Sequence, residues 1–198
     1  KNNCRRYTNS KMIKFVNKFL DKKQLKKVYD YYDALIFKND DKLVREPKNS
    51  QVPNAVYMYN DVVSNYIMLT KLKLVEKQFG EKLIPTYSFV RQYSRGMELK
   101  KHIDRSACEM SLTLNIWQDE NWPIYFEKDK KKIEIYTEPG QAALYEGCIY
   151  PHWREKYKGE SYLQIFMHYV RANGKNTDHY LDGLGKLNYP KEIYKKWL

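Results

Sequence analysis

The chain is short of cysteine, of histidine and of long apolar runs, and each shortage excludes something. Only three cysteines occur in 198 residues (Cys4, Cys108 and Cys148), widely spaced and without a CxxC pair. That argues against a disulfide scaffold or a structural zinc site and fits a reducing interior, so a cytoplasmic location is expected. No apolar run approaches the roughly 20 residues that span a bilayer, and no charged-apolar-small leader opens the sequence. Association with a membrane is therefore not expected. The first residue is Lys1 rather than Met, from which a preceding stretch of chain is expected. Internal repeats and low-complexity tracts are missing too.

What is present points to one folded domain. At 198 residues, with a hydrophobic fraction of 42% and 19 tyrosines, the chain is long and apolar enough to bury a real core over 1–198. The formal charge of +12 comes from 36 Lys and Arg against 24 Asp and Glu. The basic residues are spread out, and the tightest groups, such as Lys22-Lys23 with Lys26-Lys27, read as solvated surfaces. A nucleic-acid partner is admitted by this balance but not favoured.

Along the chain, periodicity changes once. "MIKFVNKFL" (12–20) reads as a short strand, and Asp21 as the N-cap of a helix whose Leu25, Val28, Tyr29, Tyr32 and Leu35 recur at helical spacing. Residues 38–56 read as a long polar loop. A second helix is expected from about Asp61 to Gln78, with Val62, Tyr66, Ile67, Leu69, Leu72 and Val75 apolar and Gly80 closing it. After Pro85 the texture becomes period-2, in runs such as "TYSFVRQY", "EMSLTLNIW" and "SYLQIFMHYV". Turn signals such as Asp129-Lys130 and Pro139-Gly140 separate them. Seven or so strands without intervening helices imply an antiparallel sandwich or barrel. The division is then a helical support over about 1–82, a β core over about 83–170 and a tail over 171–198. In the tail, "PKEIYKKWL" is expected to dock as a short helix.

One stretch carries chemistry. In "LKKHIDRSACEMSLTLNI" (99–116), His102 and Asp104 are two residues apart on an extended segment and so share a face. An imidazole beside a carboxylate is two-thirds of a metal site. Of the three remaining histidines, His179 reads as surface and His168 as packed inside the last strand. His152 ends a strand and short loop 48 residues beyond Asp104, and a rolled sheet can bring it back opposite the pair. Two imidazoles and one carboxylate on one face leave open positions on an octahedral metal, the donor set of non-haem Fe(II) oxygenases.

The segments "RQYSRGMELKKHIDRSACEMSLTLNI" and "EPGQAALYEGCIYPHWREKYKGESYLQIFMHYV" resemble the iron(II)/2-oxoglutarate-dependent dioxygenases, in their prolyl-4-hydroxylase-like branch. The resemblance covers roughly 83–170 and, more loosely, the leading strand and helix. It implies a mainly β fold with flanking α-helices: a double-stranded β-helix (jelly roll, cupin-like) with the N-terminal helices packed on one outer face. It also implies Fe(II) held by His102, Asp104 and His152, with 2-oxoglutarate as cosubstrate and Tyr93 as a hydrogen-bond donor to it. The chain departs from the family where a Lys or Arg usually stands early in the last strand, for here the residues are Ser161-Tyr162-Leu163-Gln164. The replacement cation is expected to be Arg154 or His168 on the Gln164/His168 face, with Arg91 as a third possibility.

The implied reaction couples oxidation of 2-oxoglutarate to succinate and CO2 with hydroxylation of an unactivated C–H bond. Asp104 argues for hydroxylation over halogenation, because a halogenase of this type needs a small residue there. A peptide, prolyl or otherwise, or a small molecule such as a free amino acid is the expected substrate, and Trp153 is expected to wall the site or pack in the core. The competing readings are a catalytically silent binding module, a dioxygenase acting on nucleic acid and a zinc-using cupin-like hydrolase. Oligomeric state is left open.

Overall fold

The computed structural model describes residues 12–37 and 43–183. Cys4, part of the 38–56 loop and the helix expected at 190–198 lie outside them. Two antiparallel sheets face each other. The larger contains β1 (Ile13–Val16), β2 (Val56–Tyr59), β3 (Leu83–Ser94), β5 (Met110–Gln118), β8 (Ala142–Tyr145) and β10 (Ser161–Arg171), in the order β1-β8-β5-β10-β3-β2. The smaller holds β4 (Leu99–His102), β6 (Ile124–Lys128), β7 (Lys131–Ile135) and β9 (His152–Arg154), in the order β4-β9-β6-β7. This is the expected mainly β jelly-roll architecture.

Period-2 alternation decides what each strand gives to each side. On β5, Met110, Leu112, Leu114 and Ile116 join the main hydrophobic core, and on β10 so do Leu163, Ile165, Met167 and Tyr169. The intervening residues, Ser111, Thr113 and Asn115 on β5 and Tyr162, Gln164, Phe166 and His168 on β10, turn to the space between the sheets. There Gln164 Nε2 donates to Thr113 Oγ1, and His168 lies opposite Ser111.

The outer face of the large sheet is covered by helices, as their apolar stripes require. Helix α1 (Lys22–Tyr32) starts at Asp21, whose side chain accepts from Gln24 N–H at 2.8 Å while Gln24 reaches back, a reciprocal cap. Val28 and Tyr32 are buried, and Leu25, Tyr29 and Leu35 pack against the same core. The single helix expected over 61–78 is instead two, α2 (Val62–Thr70) and α3 (Leu72–Phe79), joined at Lys71. The Thr70 hydroxyl bonds back to the Tyr66 carbonyl at 2.7 Å, an interaction that bends helices. Asp61 caps α2, and Gly80, at φ 76°, closes α3 in the left-handed region that suits glycine. Ile67 and Val75 are buried, but Val62, Tyr66 and Leu69 stay exposed, so the apolar stripe is wider than the face it buries.

Two short strands escape sequence reading. The 38–56 region leads into β2, which pairs with the edge of β3, and His152–Arg154 forms β9 between β4 and β6. At three or four residues, neither has a periodicity of its own; each is a strand because a longer neighbour offers it hydrogen bonds. In the tail a short turn, Thr177–His179, and α4 (Tyr180–Gly183) bring Tyr180 against Ile84 and Val170.

Candidate metal centre

His102 closes β4 and His152 opens β9, and the antiparallel register pairs them directly. Their ring centroids are 4.3 Å apart. Asp104 follows on extended chain, its N–H donating to the Gly147 carbonyl at 2.9 Å. One ligand-capable atom from each of His102, Asp104 and His152 lies within 4.8 Å of the other two.

Each imidazole is oriented by its outer nitrogen. His102 Nδ1 sits 2.7 Å from the Lys100 carbonyl and His152 Nδ1 2.9 Å from the Tyr150 carbonyl. A carbonyl only accepts, so both Nδ1 atoms carry the hydrogen and both Nε2 atoms keep a lone pair. Asp104 Oδ1 lies 3.5 Å from His102 Nε2 and 3.6 Å from His152 Nε2, and His102 Nε2 also takes the Gln51 amide N–H at 2.8 Å. Three electron-rich atoms thus lie together. Burial alone would raise the Asp104 carboxyl, but the charged forms of His152, His102 and His168 present in acid hold it well below its usual range, at about 2. Burial pushes His152 down against the pull of Asp104, which keeps its imidazole neutral and ligand-ready.

A second grouping, Asp104, Cys108 and His168, shares the carboxylate. It is occupied internally. Burial keeps the Cys108 thiol protonated, 3.0 Å from Tyr87 Oη, and His168 Nδ1 is engaged by Ser111 Oγ at 2.9 Å.

The triad opens into a cavity of about 210 Å³, with Tyr59, Tyr87, Phe89 and Phe166 as aromatic wall and Arg91, Gln51 and Tyr145 among its polar groups. Of the four residues expected to bind a cosubstrate, only His168 lines this space; Tyr93, Arg154 and Gln164 are buried and do not line it. Burial holds His168 neutral, its pKa pushed down to about 4. It is thus no cation near neutrality. Arg91 is compensated: its Nε is 2.5 Å from Glu46 Oε1, in a pair buried on both sides.

Arg154 is different. Its guanidinium lies between the rings of Trp122 and Tyr162, 4.8 Å from each, and donates to the Trp122 carbonyl at 2.5 Å and to Tyr162 Oη at 3.2 Å. Glu155 and Glu109 are not its partners, because Glu155 binds Lys132 and Glu109 binds Arg171. Among the described residues its Nε, a buried donor, has no hydrogen-bond partner. Contact with Tyr162 brings this charge to the part of β10 where the expected family cation is missing. Trp153 points away from the triad and stacks on Tyr125, so it does not wall the cavity.

Several site residues had no signal of their own in the sequence. Gln51 Nε2 reaches His102 Nε2 at 2.8 Å from a loop 51 residues earlier, and the Tyr145 ring packs tilted against His152, with centroids 4.7 Å apart. Gly147 is the third. A Cβ there would stand 2.2 Å from Asp104 Oδ2 and 2.6 Å from the Cys108 carbonyl, so the carboxylate fits only because the side chain is missing. Gly147→Ala is therefore expected to cost about 1–3 kcal/mol of stability as an overpacked core position. It should also weaken metal binding by displacing Asp104, which thermal denaturation and metal titration would show together.

No protein-family model matches this sequence, and no curated protein matches it. Solved structures do match in fold. A Pseudomonas putida prolyl-4-hydroxylase aligns with a TM-score of 0.62 at 14% identity over 81% of this chain and 93% of that one. A Trichoplax adhaerens prolyl hydroxylase, in complex with a hypoxia inducible factor peptide fragment, aligns with a TM-score of 0.66 at 12% identity, over 85% and 86%. The α-ketoglutarate-dependent epimerase SnoN from nogalamycin biosynthesis gives 0.67 at 12%, over 81% and 78%. The fold is that of the 2-oxoglutarate/Fe(II) oxygenases, including prolyl-4-hydroxylases. Because that fold carries an epimerase as well as hydroxylases, this chain's own site must argue the reaction.

Proposed function

We propose that this protein is an Fe(II)- and 2-oxoglutarate-dependent dioxygenase that hydroxylates an unactivated C–H bond of a peptidyl (prolyl or other) side chain or a free amino acid. The observation that carries this reading is the convergence of His102 Nε2, His152 Nε2 and Asp104 Oδ1 on one point, with both imidazoles locked in the ligating tautomer. Two nitrogens and one carboxylate oxygen suit Fe(II) and leave positions open for cosubstrate and oxygen. With 2-oxoglutarate and O2, iron supplies the oxidant for C–H hydroxylation, releasing succinate and CO2.

The chain's own residues supply geometry. His102, Asp104 and His152 would hold the metal. Arg154, a buried cation with only neutral partners, would meet the far carboxylate of 2-oxoglutarate, with Tyr93 and Gln164 beside it in the same layer. The aromatic wall of Tyr59, Tyr87, Phe89 and Phe166 would exclude water and receive a small apolar group. Asp104 keeps its carboxylate, which favours hydroxylation over halide transfer. We place the whole chain in one domain, acting in the cytoplasm; among the described residues no helix is long and apolar enough to cross a membrane.

The test is anaerobic loading with Fe(II), then 2-oxoglutarate and O2, with succinate measured across a panel of peptides and amino acids. Substrate-stimulated succinate release is expected. Metal binding without succinate from any member would turn the reading toward a silent binding module.

A further inference from the structure

The two oxygens of Asp104 have different partners. Oδ1 faces the two histidine Nε2 atoms, while Oδ2 lies 3.0 Å from Ser111 Oγ. Ser111 Oγ is also 2.9 Å from His168 Nδ1 and 3.2 Å from the Cys108 carbonyl. A serine hydroxyl has one proton, and a carboxylate and a carbonyl only accept. The Ser111 proton therefore goes to the side of Asp104 and Cys108, and His168 must donate its Nδ1–H to Ser111. This assigns the tautomer of His168 by elimination.

The parts are held by rigid elements. Ser111 on β5 and His168 on β10 are direct cross-strand partners. His168 is wedged against Tyr87, with ring centroids 4.5 Å apart. Gly147 both accepts the Asp104 N–H and leaves the room that Oδ2 occupies.

We propose that His168 and Ser111 are positioning residues: His168 Nδ1–H donates to Ser111 Oγ, whose O–H donates to Asp104 Oδ2, and this relay presents Oδ1 alone to the metal. The proposal rests on the reading that His102, Asp104 and His152 bind Fe(II). A carboxylate tied down at Oδ2 serves as a single-atom ligand, which keeps one more coordination position open than a two-atom grip would. His168 is thereby given a task that needs no charge, in place of the cosubstrate anchor the sequence offered.

The test is anaerobic titration of the metal-free protein with Mn(II) and with Co(II), alongside thermal denaturation without metal. The variants are Ser111→Ala, His168→Leu, His168→Asn and Ser111→Ala/His168→Leu. Partners of metal ligands typically contribute about 10- to 100-fold in metal affinity. Ser111→Ala and His168→Leu should each lose affinity on that scale. His168→Asn, whose amide N–H can take the place of Nδ1–H, should stay within about threefold of wild type. The double variant should lose no more than the worse single one, because the residues act as a unit. The Co(II) absorption bands should shift in Ser111→Ala, while the metal-free melting temperature stays near wild type. Wild-type affinity in Ser111→Ala would overturn the relay, as would equal losses in His168→Asn and His168→Leu, which would mark His168 as packing only. A wild-type chain that takes up neither metal overturns the metal reading itself and the relay with it, whereas tight wild-type binding with indifferent variants overturns the relay alone.

Discussion

Asp104→Ala is expected to abolish iron-dependent turnover and to weaken Mn(II) or Co(II) binding by at least about a hundredfold. The floor for that number is the 10- to 100-fold that outer partners of a metal site contribute; loss of a direct ligand exceeds it. Among the described residues Asp104 is the one acid of the triad, and without it two imidazoles remain. Folding should survive, since Asp104 lies beyond the end of β4 and its N–H bond to Gly147 is made by backbone. Isothermal titration with metal, beside the melting temperature of the metal-free variant, separates loss of a ligand from loss of structure. Unchanged metal affinity would sink the assignment.

The second large effect is on the cosubstrate. Arg154→Ala should raise the KM for 2-oxoglutarate by roughly ten- to a hundredfold, because hydrogen bonds to charged groups contribute about 1.5–3 kcal/mol each. Arg91, the buried guanidinium that lines the cavity, already has Glu46 as its counter-charge. The effect should be flat from about pH 6 to 8.5, since guanidinium does not titrate there. Were His168 the anchor, affinity would fall as pH rises through its titration; with burial holding its pKa at about 4, it is neutral throughout that range and supplies no such slope. If Arg154→Ala keeps the wild-type KM while Arg91→Gln raises it, Arg91 is the anchor. That arm needs a thermal control, because leaving the buried Glu46 without its partner costs about 3–5 kcal/mol.

What the chain spells out locally can be read without a structure. The HxD spacing puts His102 and Asp104 on one face because extended residues two apart always share one. Asp21 followed three residues later by Gln24 builds its cap within a single turn. The alternation of "EMSLTLNI" separates Met110, Leu112 and Leu114 from Ser111 and Thr113 wherever the strand ends up. These are properties of neighbours in sequence, and the chain's own geometry enforces them. Tertiary structure alone decided the rest. It paired His102 with His152 across 50 positions through the register of β4 on β9, and that pairing gave the three-residue β9 its existence. It also gave Arg154 neutral partners instead of the acids nearby in sequence, left Gly147 bare where a carboxylate passes, and set His168 opposite Ser111 instead of beside Arg154. Each of these depends on which strand lies beside which, and at what offset. A slip of one residue in β10 would turn His168 to the helices and Met167 toward the triad, because strand side chains alternate faces with a period of two.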